Sequence, residues 1–163
     1  MIGIFSYNDV SHPLLLSRCP DHATLGVPRS CVRVGKRIEI TGPVSAEIIR
    51  VIDGDTILVA AKPWPQQTME VYVRLRGIDA PELKSSCAAI RDAGRQARAA
   101  LADLIRDQHD IQLMRISGDK YFGRVVADIS LSDGRNPAQE MLSAGHVASY
   151  DGGHKQEGCS SLW

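Results

Sequence analysis

The stretch MEVYVRL, residues 69–75, has the clearest periodicity in the chain. Its apolar residues, from Met69 to Leu75, alternate with residues that suit a solvent-facing surface. Alternation at a period of two predicts a half-buried β-strand with one apolar face. Arg74 falls on the opposite face, so we expect its guanidinium to be available to a ligand.

A short acidic turn lies on each side of this strand in the sequence. Residues 53–56 have the sequence DGDT, and residues 79–82 have the sequence DAPE. Each motif alone is more typical of a plain turn than of a ligand site, because Asp-Gly is the commonest hairpin pair. Their combination favours function, since both turns end strands of one predicted sheet and Arg74 projects from the strand between them.

The residue types in these turns suit the hydrolysis of a phosphodiester. Asp55 and Asp79 offer oxygen ligands, which calcium and magnesium prefer and which zinc and copper do not. Glu82 can accept a proton from water or orient that water. Arg74 and Arg124 offer paired N–H donors that can bind a phosphate and stabilise charge in the transition state.

The predicted elements around the strand indicate a small barrel. Further strands are predicted at residues 46–52, 56–61, 111–116 and 125–131, and helices at residues 88–106 and after Asn136. Residues 62–67 are predicted to form a loop, because two nearby prolines interrupt a central strand. This order predicts an α+β, mainly β fold: a five-stranded OB-type barrel with flanking helices.

Length and charge limit the architecture and the partners. A chain of 163 residues suits one domain with a single core. Residues 1–40 are proline-containing and aperiodic, which predicts a poorly ordered extension before a folded domain at residues 41–163. The 19 basic and 19 acidic residues cancel, so strong sequence-independent affinity for nucleic acid is not expected.

Membrane and export signals are not recognised in the sequence. No apolar run reaches the roughly 18 residues of a membrane span, and the first residues lack the features of a signal peptide.

The four cysteines, Cys19, Cys31, Cys87 and Cys159, include no Cys-x-x-Cys pair, which argues against a zinc site. They fit either free thiols in a reducing compartment or two disulfides in an oxidising one.

With these residues assembled, residues 43–153 resemble the staphylococcal nuclease (thermonuclease) family. The resemblance rests on ordered blocks with the sequences VIDGDTILV, VRLRGIDAPEL, GRQARAALADLI, DKYFGRVVADI and NPAQEMLSAGHVASY. It implies an OB-type barrel and calcium-dependent, sugar-nonspecific hydrolysis of DNA and RNA, with single-stranded substrates preferred. One calcium ion is expected, and magnesium or manganese are possible substitutes.

The resemblance also implies a role for individual residues. It assigns three groups: the metal ligands Asp55, Asp79 and the main-chain carbonyl of Ala80; the catalytic residues Arg74, Glu82 and Arg124; and the substrate-binding residues Lys120, Tyr121 and Tyr150. Ala80 replaces a threonine that is common in the family, which matters little if only its carbonyl binds metal. Phe122 is an extra residue in the usual Tyr-Gly-Arg run, so the pocket-lining residue among 120–122 stays open.

The resemblance bears on compartment and on activity. Similar proteins are often exported and have cysteines at comparable positions, which favours a Cys87–Cys159 disulfide and a secreted or periplasmic location. A monomer is the default expectation.

The rival interpretation is a non-catalytic, nuclease-like module that binds nucleic acid, since this fold also occurs without metal ligands. The full acidic and arginine set favours the enzyme, and a calcium-binding structural domain would leave Arg74 and Arg124 without a role.

Overall fold

The computed structural model describes residues 38–153 and residue 159. In this part of the chain, short loops join the strands and helices. In chain order they are β1 Glu39–Ile40, β2 Val44–Asp53, β3 Thr56–Trp64, β4 Gln67–Leu75, β5 Ile78–Asp79, α1 Ala88–Leu104, β6 Asp110–Gly118, β7 Arg124–Leu131, α2 Pro137–Ser143 and β8 Ala148–Ser149.

Five of these strands close into a barrel. Strands β2, β3 and β4 form an antiparallel meander, and β6 pairs antiparallel with both β2 and β7. The barrel closes where β7 runs parallel to β4, with Arg74 opposite Val126. Parallel neighbours need a long crossover, and here α1 and β6 provide it. The predicted five-stranded OB-type barrel with flanking helices is confirmed.

The strand that decided the prediction has the expected two faces only in its second half, because Met69, predicted on the apolar face, is 53% exposed. Val73 and Leu75 are almost fully buried in the core, whereas Arg74 between them keeps partial access to solvent. Leu101 on α1 is buried against the same core. The period of two in the sequence therefore places Arg74 on the outer surface of the barrel.

Strand β3 is longer than predicted. Residues 62–64 continue the strand, and Trp64 pairs with Gln67 across the turn. The loop prediction for residues 62–67 is therefore wrong outside residues 65–66. Pro63 lies within an irregularity between the pairs Ala61–Met69 and Trp64–Gln67, where a missing N–H is tolerated at the end of a hairpin.

The ends of the described chain bear on two further predictions. Glu39 and Ile40 pair with β6, so the sheet includes the last two residues of the predicted extension. Residues 1–37, with Cys19 and Cys31, lie outside the described residues, and the division at residue 40 stays a prediction.

Cys87, which precedes α1, forms a disulfide with Cys159, as the resemblance implied. None of the helices among the described residues is long and apolar enough to cross a membrane.

Small residues let α1 pack closely against both acidic turns. A Cβ atom on Gly54 would lie 2.7 Å from the Cβ atom of Ala97 on α1 and 2.9 Å from that of Ala80. A Cβ atom on Gly94 would lie 2.7 Å from the carbonyl oxygen of Pro81. The helix therefore holds the two turns together through contacts that leave no room for a methyl group.

We expect Gly54→Ala to lower the free energy of unfolding by about 1–3 kcal/mol, because the added methyl group must displace Ala97 or Ala80. The matched control is Gly118→Ala, since a Cβ atom there meets nothing within 4 Å; a change within about 0.5 kcal/mol is expected. Urea unfolding of both variants measures the difference. Equal stability of the two variants would contradict this packing.

Candidate active site

The carboxylate of Asp55 joins the first acidic turn to the second. Asp55 follows Gly54 at the turn between β2 and β3 and is only 3% exposed. Its Oδ1 accepts a hydrogen bond from the hydroxyl of Thr56 at 2.8 Å, and its Oδ2 accepts one from the main-chain N–H of Ala80 at 3.0 Å. This contact between turns holds the first carboxylate beside the second turn.

Arg74 bridges the carboxylates of both turns. Its Nη1 lies 2.8 Å from Oδ2 of Asp55, and its Nη2 lies 2.7 Å from Oδ1 of Asp79. The register explains the first contact, because Arg74 on β4 lies opposite Thr56, the first residue of β3. Two carboxylates from separate turns thus converge on one positive group.

The segment after α2 completes this side of the site. Strand β5 pairs with β8, with Asp79 opposite Ala148, and the main-chain N–H of Tyr150 donates to the carbonyl of Gly77 at 2.9 Å. This pairing brings the Tyr150 ring to Arg74, whose guanidinium carbon lies 5.7 Å from the ring centroid. The second acidic turn is therefore held by the chain that follows α2.

The loop between β6 and β7 contributes a second arginine. Arg124 on β7 lies opposite Tyr72 in the parallel β4–β7 pair. Tyr72 is two residues before Arg74 on β4. Its Nε donates to the carboxylate of Asp119, and its guanidinium carbon lies 4.6 Å from the centroid of the Tyr121 ring. Lys120 Nζ lies 5.0 Å from the same centroid. The loop therefore presents three positive or aromatic side chains beside Arg74.

One pocket brings together every site residue that the sequence predicted. Its lining includes Asp55, Arg74, Asp79, Ala80, Glu82, Lys120, Tyr121, Arg124 and Tyr150. Glu82 lies on the exposed part of the second acidic turn, and its carbonyl accepts a hydrogen bond from the N–H of Ser85 at 3.3 Å. Phe122 is fully exposed and is not among the lining residues.

Sequence reasoning missed several polar residues of this pocket. Asp53 accepts a hydrogen bond from the N–H of Asp55 at 3.2 Å, and its place in the same Asp-Gly-Asp motif was an available signal. Asp119 pairs with Arg124 across their loop, and Arg76 binds the Ser117 hydroxyl at 3.0 Å. No local pattern in the sequence indicated either contact.

The environment of Asp55 changes its acidity. Burial raises the pKa of this carboxyl from 3.8 to about 6, although the positive charge of Arg74 opposes the shift. The neighbouring carboxyl of Asp53 adds to the rise in pKa. Near neutral pH the Asp55 carboxylate is thus ionised at a cost, which favours a positive partner.

The donor set fits a hard cation with few protein ligands. The described residues contain no group of three or more His, Cys, Asp or Glu side chains that could hold a metal ion. Asp55 and Asp79 supply carboxylates that meet at one positive charge, Arg74. Calcium and magnesium accept such sites when main-chain carbonyls, water or substrate phosphates supply the other oxygens.

Comparison with known proteins gives one family match. A family model described as staphylococcal nuclease homologue matches residues 72–159. This range is more than half of the chain and includes Arg74, Asp79, Glu82 and Arg124, whereas Asp55 precedes it. The chain has no match among curated proteins.

The raised pKa of Asp55 predicts how stability depends on pH without metal. Between about pH 4 and pH 6 the folded chain keeps a proton that the unfolded chain has lost, so the contribution of Asp55 to stability falls as pH rises. The fall should be on the order of 3 kcal/mol. In Asp55→Asn this fall should disappear, so the stability of the variant relative to the parent should rise with pH.

Urea unfolding across this pH range, in the presence of a chelator, measures that difference. The difference should level off above about pH 7, because the carboxyl is then ionised in both states. A difference between variant and parent that does not change with pH would contradict the shift.

Proposed function

The chain belongs to the staphylococcal nuclease homologue family, and we propose that it is a metal-dependent, sugar-nonspecific nuclease that hydrolyses phosphodiester bonds of DNA and RNA. The observation that supports this most is the pocket in which Arg74 bridges Asp55 and Asp79. A site for phosphodiester hydrolysis needs negative ligands for a cation and positive donors for a phosphate. This pocket has both within one ion-pair network.

In the proposed enzyme, Asp55, Asp79 and the main-chain carbonyl of Ala80 would hold one calcium ion. Bound there, the ion would supply Lewis-acid polarisation of a phosphate oxygen and would lower the pKa of water. Magnesium or manganese are alternatives, because two carboxylates with water and phosphate oxygens suit them as well. Every protein ligand in this proposal lies on one of the two acidic turns, which Asp55 and Ala80 connect.

Arg74 and Arg124 are the proposed phosphate-binding groups. Arg74 lines the pocket, and its side chain is 17% exposed, so its Nη donors can reach both the carboxylates and a phosphate. Asp119 accepts a hydrogen bond from the Nε–H of Arg124. That hydrogen bond does not use the two terminal amino groups of the Arg124 guanidinium. Paired donors of this kind match phosphate oxygens and stabilise the charge that develops on them.

Glu82 is the proposed group that handles water. It lies three residues after Asp79 on an exposed turn at the pocket. A carboxylate at this place can accept a proton from water or orient that water. This assigns two functions to the second acidic turn, metal binding and proton transfer.

The proposed substrates are DNA and RNA, with single-stranded forms preferred. Tyr121 and Tyr150 line the pocket, and Lys120 lies beside them. Aromatic rings contact bases through their faces, and these faces are accessible when the bases are unpaired. We propose that the protein acts as a monomer.

Degradation of single-stranded DNA with and without calcium tests the proposal. We expect degradation with calcium, loss of degradation with a chelator, and a rate lower by about 10²–10⁴-fold in Glu82→Gln, because general acid–base catalysis is worth that much. The matched control is Glu70→Gln, since Glu70 is exposed on β4 and does not line the pocket. Its rate should equal that of the parent.

Three results would count against parts of this proposal. Equal rates for Glu82→Gln and the parent would remove Glu82 from the reaction. Activity that persists in a chelator would remove the metal. Binding of DNA without degradation under calcium, magnesium and manganese would favour the non-catalytic binding module.

A further inference from the structure

We propose that Tyr72 and Phe122, which lie outside the pocket, form a stacking surface for unpaired bases that flank the bound phosphate. This inference rests on the proposed nuclease function and adds a substrate contact to it. We call these two residues the ring pair. Phe122 is fully exposed, and Tyr72 is 40% exposed, so both rings are open to a ligand.

A main-chain contact brings the two residues of the ring pair near each other. Tyr72 on β4 lies opposite Arg124 on β7, and its main-chain N–H donates to the carbonyl of Gly123 at 3.4 Å. Phe122 directly precedes Gly123. The two residues are therefore joined through one backbone contact, although they are far apart in the sequence.

The ring pair also lies beside the proposed phosphate donors. Tyr72 and Arg74 are two residues apart on β4 and so project from the same face, with Cα atoms about 7 Å apart. Arg124 is the register partner of Tyr72. A strand whose phosphate contacts these arginines would thus have its next bases within reach of the rings.

The neighbouring tyrosine is less available for stacking than Phe122. The Tyr121 ring is contacted by the Arg124 guanidinium and by the Lys120 ammonium group. Among the described residues, no such cation contact involves Phe122 or Tyr72. Phe122, the extra residue in this loop, therefore offers an open aromatic face, whereas cations contact the ring of Tyr121.

Packing gives no reason for the exposed phenylalanine. A fully exposed ring adds nothing to the core, and Gly123, with φ of +79°, turns the chain at this position. Exposed rings interleaved with basic residues are the usual composition of a single-strand binding surface. Because the chain has no net charge, stacking would also supply affinity that salt does not screen.

Equilibrium binding of oligonucleotides tests the ring pair. Fluorescence anisotropy is measured with octathymidylate and with an octamer of abasic nucleotides. The Glu82→Gln background with calcium keeps the oligonucleotides intact. Phe122→Leu and Tyr72→Leu keep apolar bulk but lose the ring, Phe122→Trp keeps a ring, and Trp64→Leu removes another exposed ring at the end of β3.

We expect each leucine variant of the ring pair to bind octathymidylate about 5- to 150-fold more weakly, as expected for the loss of one stacked base. The abasic octamer should bind all variants equally, because it presents no base to the ring pair. Phe122→Trp and Trp64→Leu should bind octathymidylate as the background does.

Two results would overturn the inference. The first is that both leucine variants bind octathymidylate with an affinity within twofold of that of the Trp64→Leu variant. The second is an equal loss of affinity for the abasic octamer.

If these variants lost binding to vesicles containing phosphatidylserine but kept binding to oligonucleotides, the ring pair would be a lipid contact. If the parent left octathymidylate intact under every ion while the leucine variants still bound it weakly, the nuclease function would fail and the stacking surface would stand.

Discussion

The contact of one guanidinium with two carboxylates organises this molecule. Arg74 lies 2.8 Å from Asp55 and 2.7 Å from Asp79, and each carboxylate comes from a different turn. Without a positive group between them, two partly or fully buried carboxylates would repel each other and resist ionisation. The bridge therefore lets the fold keep two carboxylates close together.

The rest of the barrel serves to maintain that contact. Pairing of β3 with β4 places Asp55 beside Arg74, and pairing of β5 with β8 fixes the turn of Asp79. Helix α1 presses both turns together at Gly54 and Gly94. Closure through the parallel β4–β7 pair then adds Arg124 to the same surface. The proposed chemistry thus depends on contacts between segments that are distant in the sequence.

Part of this structure could be predicted because its causes are local. The alternation in residues 69–75 placed Arg74 outside the core, and the Asn-Pro pair at residues 136–137 predicted a helix start. There the Asn136 side chain accepts a hydrogen bond from Ala138 at 2.9 Å. The motifs also predicted which residues line the pocket, although their roles in metal binding and catalysis stay proposals.

Other features could not be predicted because they arise from tertiary contacts. Strands β5 and β8 have two residues each, which is too short for any periodicity. The pairing of Asp119 with Arg124 follows from how their loop turns. The exposure of Phe122 could not be inferred from its apolar character, which alone would favour burial.

Calorimetric titration of calcium into the purified chain tests the central proposal, that Asp55 and Asp79 are ligands of one cation. The account predicts one calcium ion per chain for the parent and no measurable binding for Asp79→Asn. Asp92→Asn, which removes an exposed carboxylate on α1, should bind as the parent does. Equal calcium binding by Asp79→Asn and the parent would contradict the account.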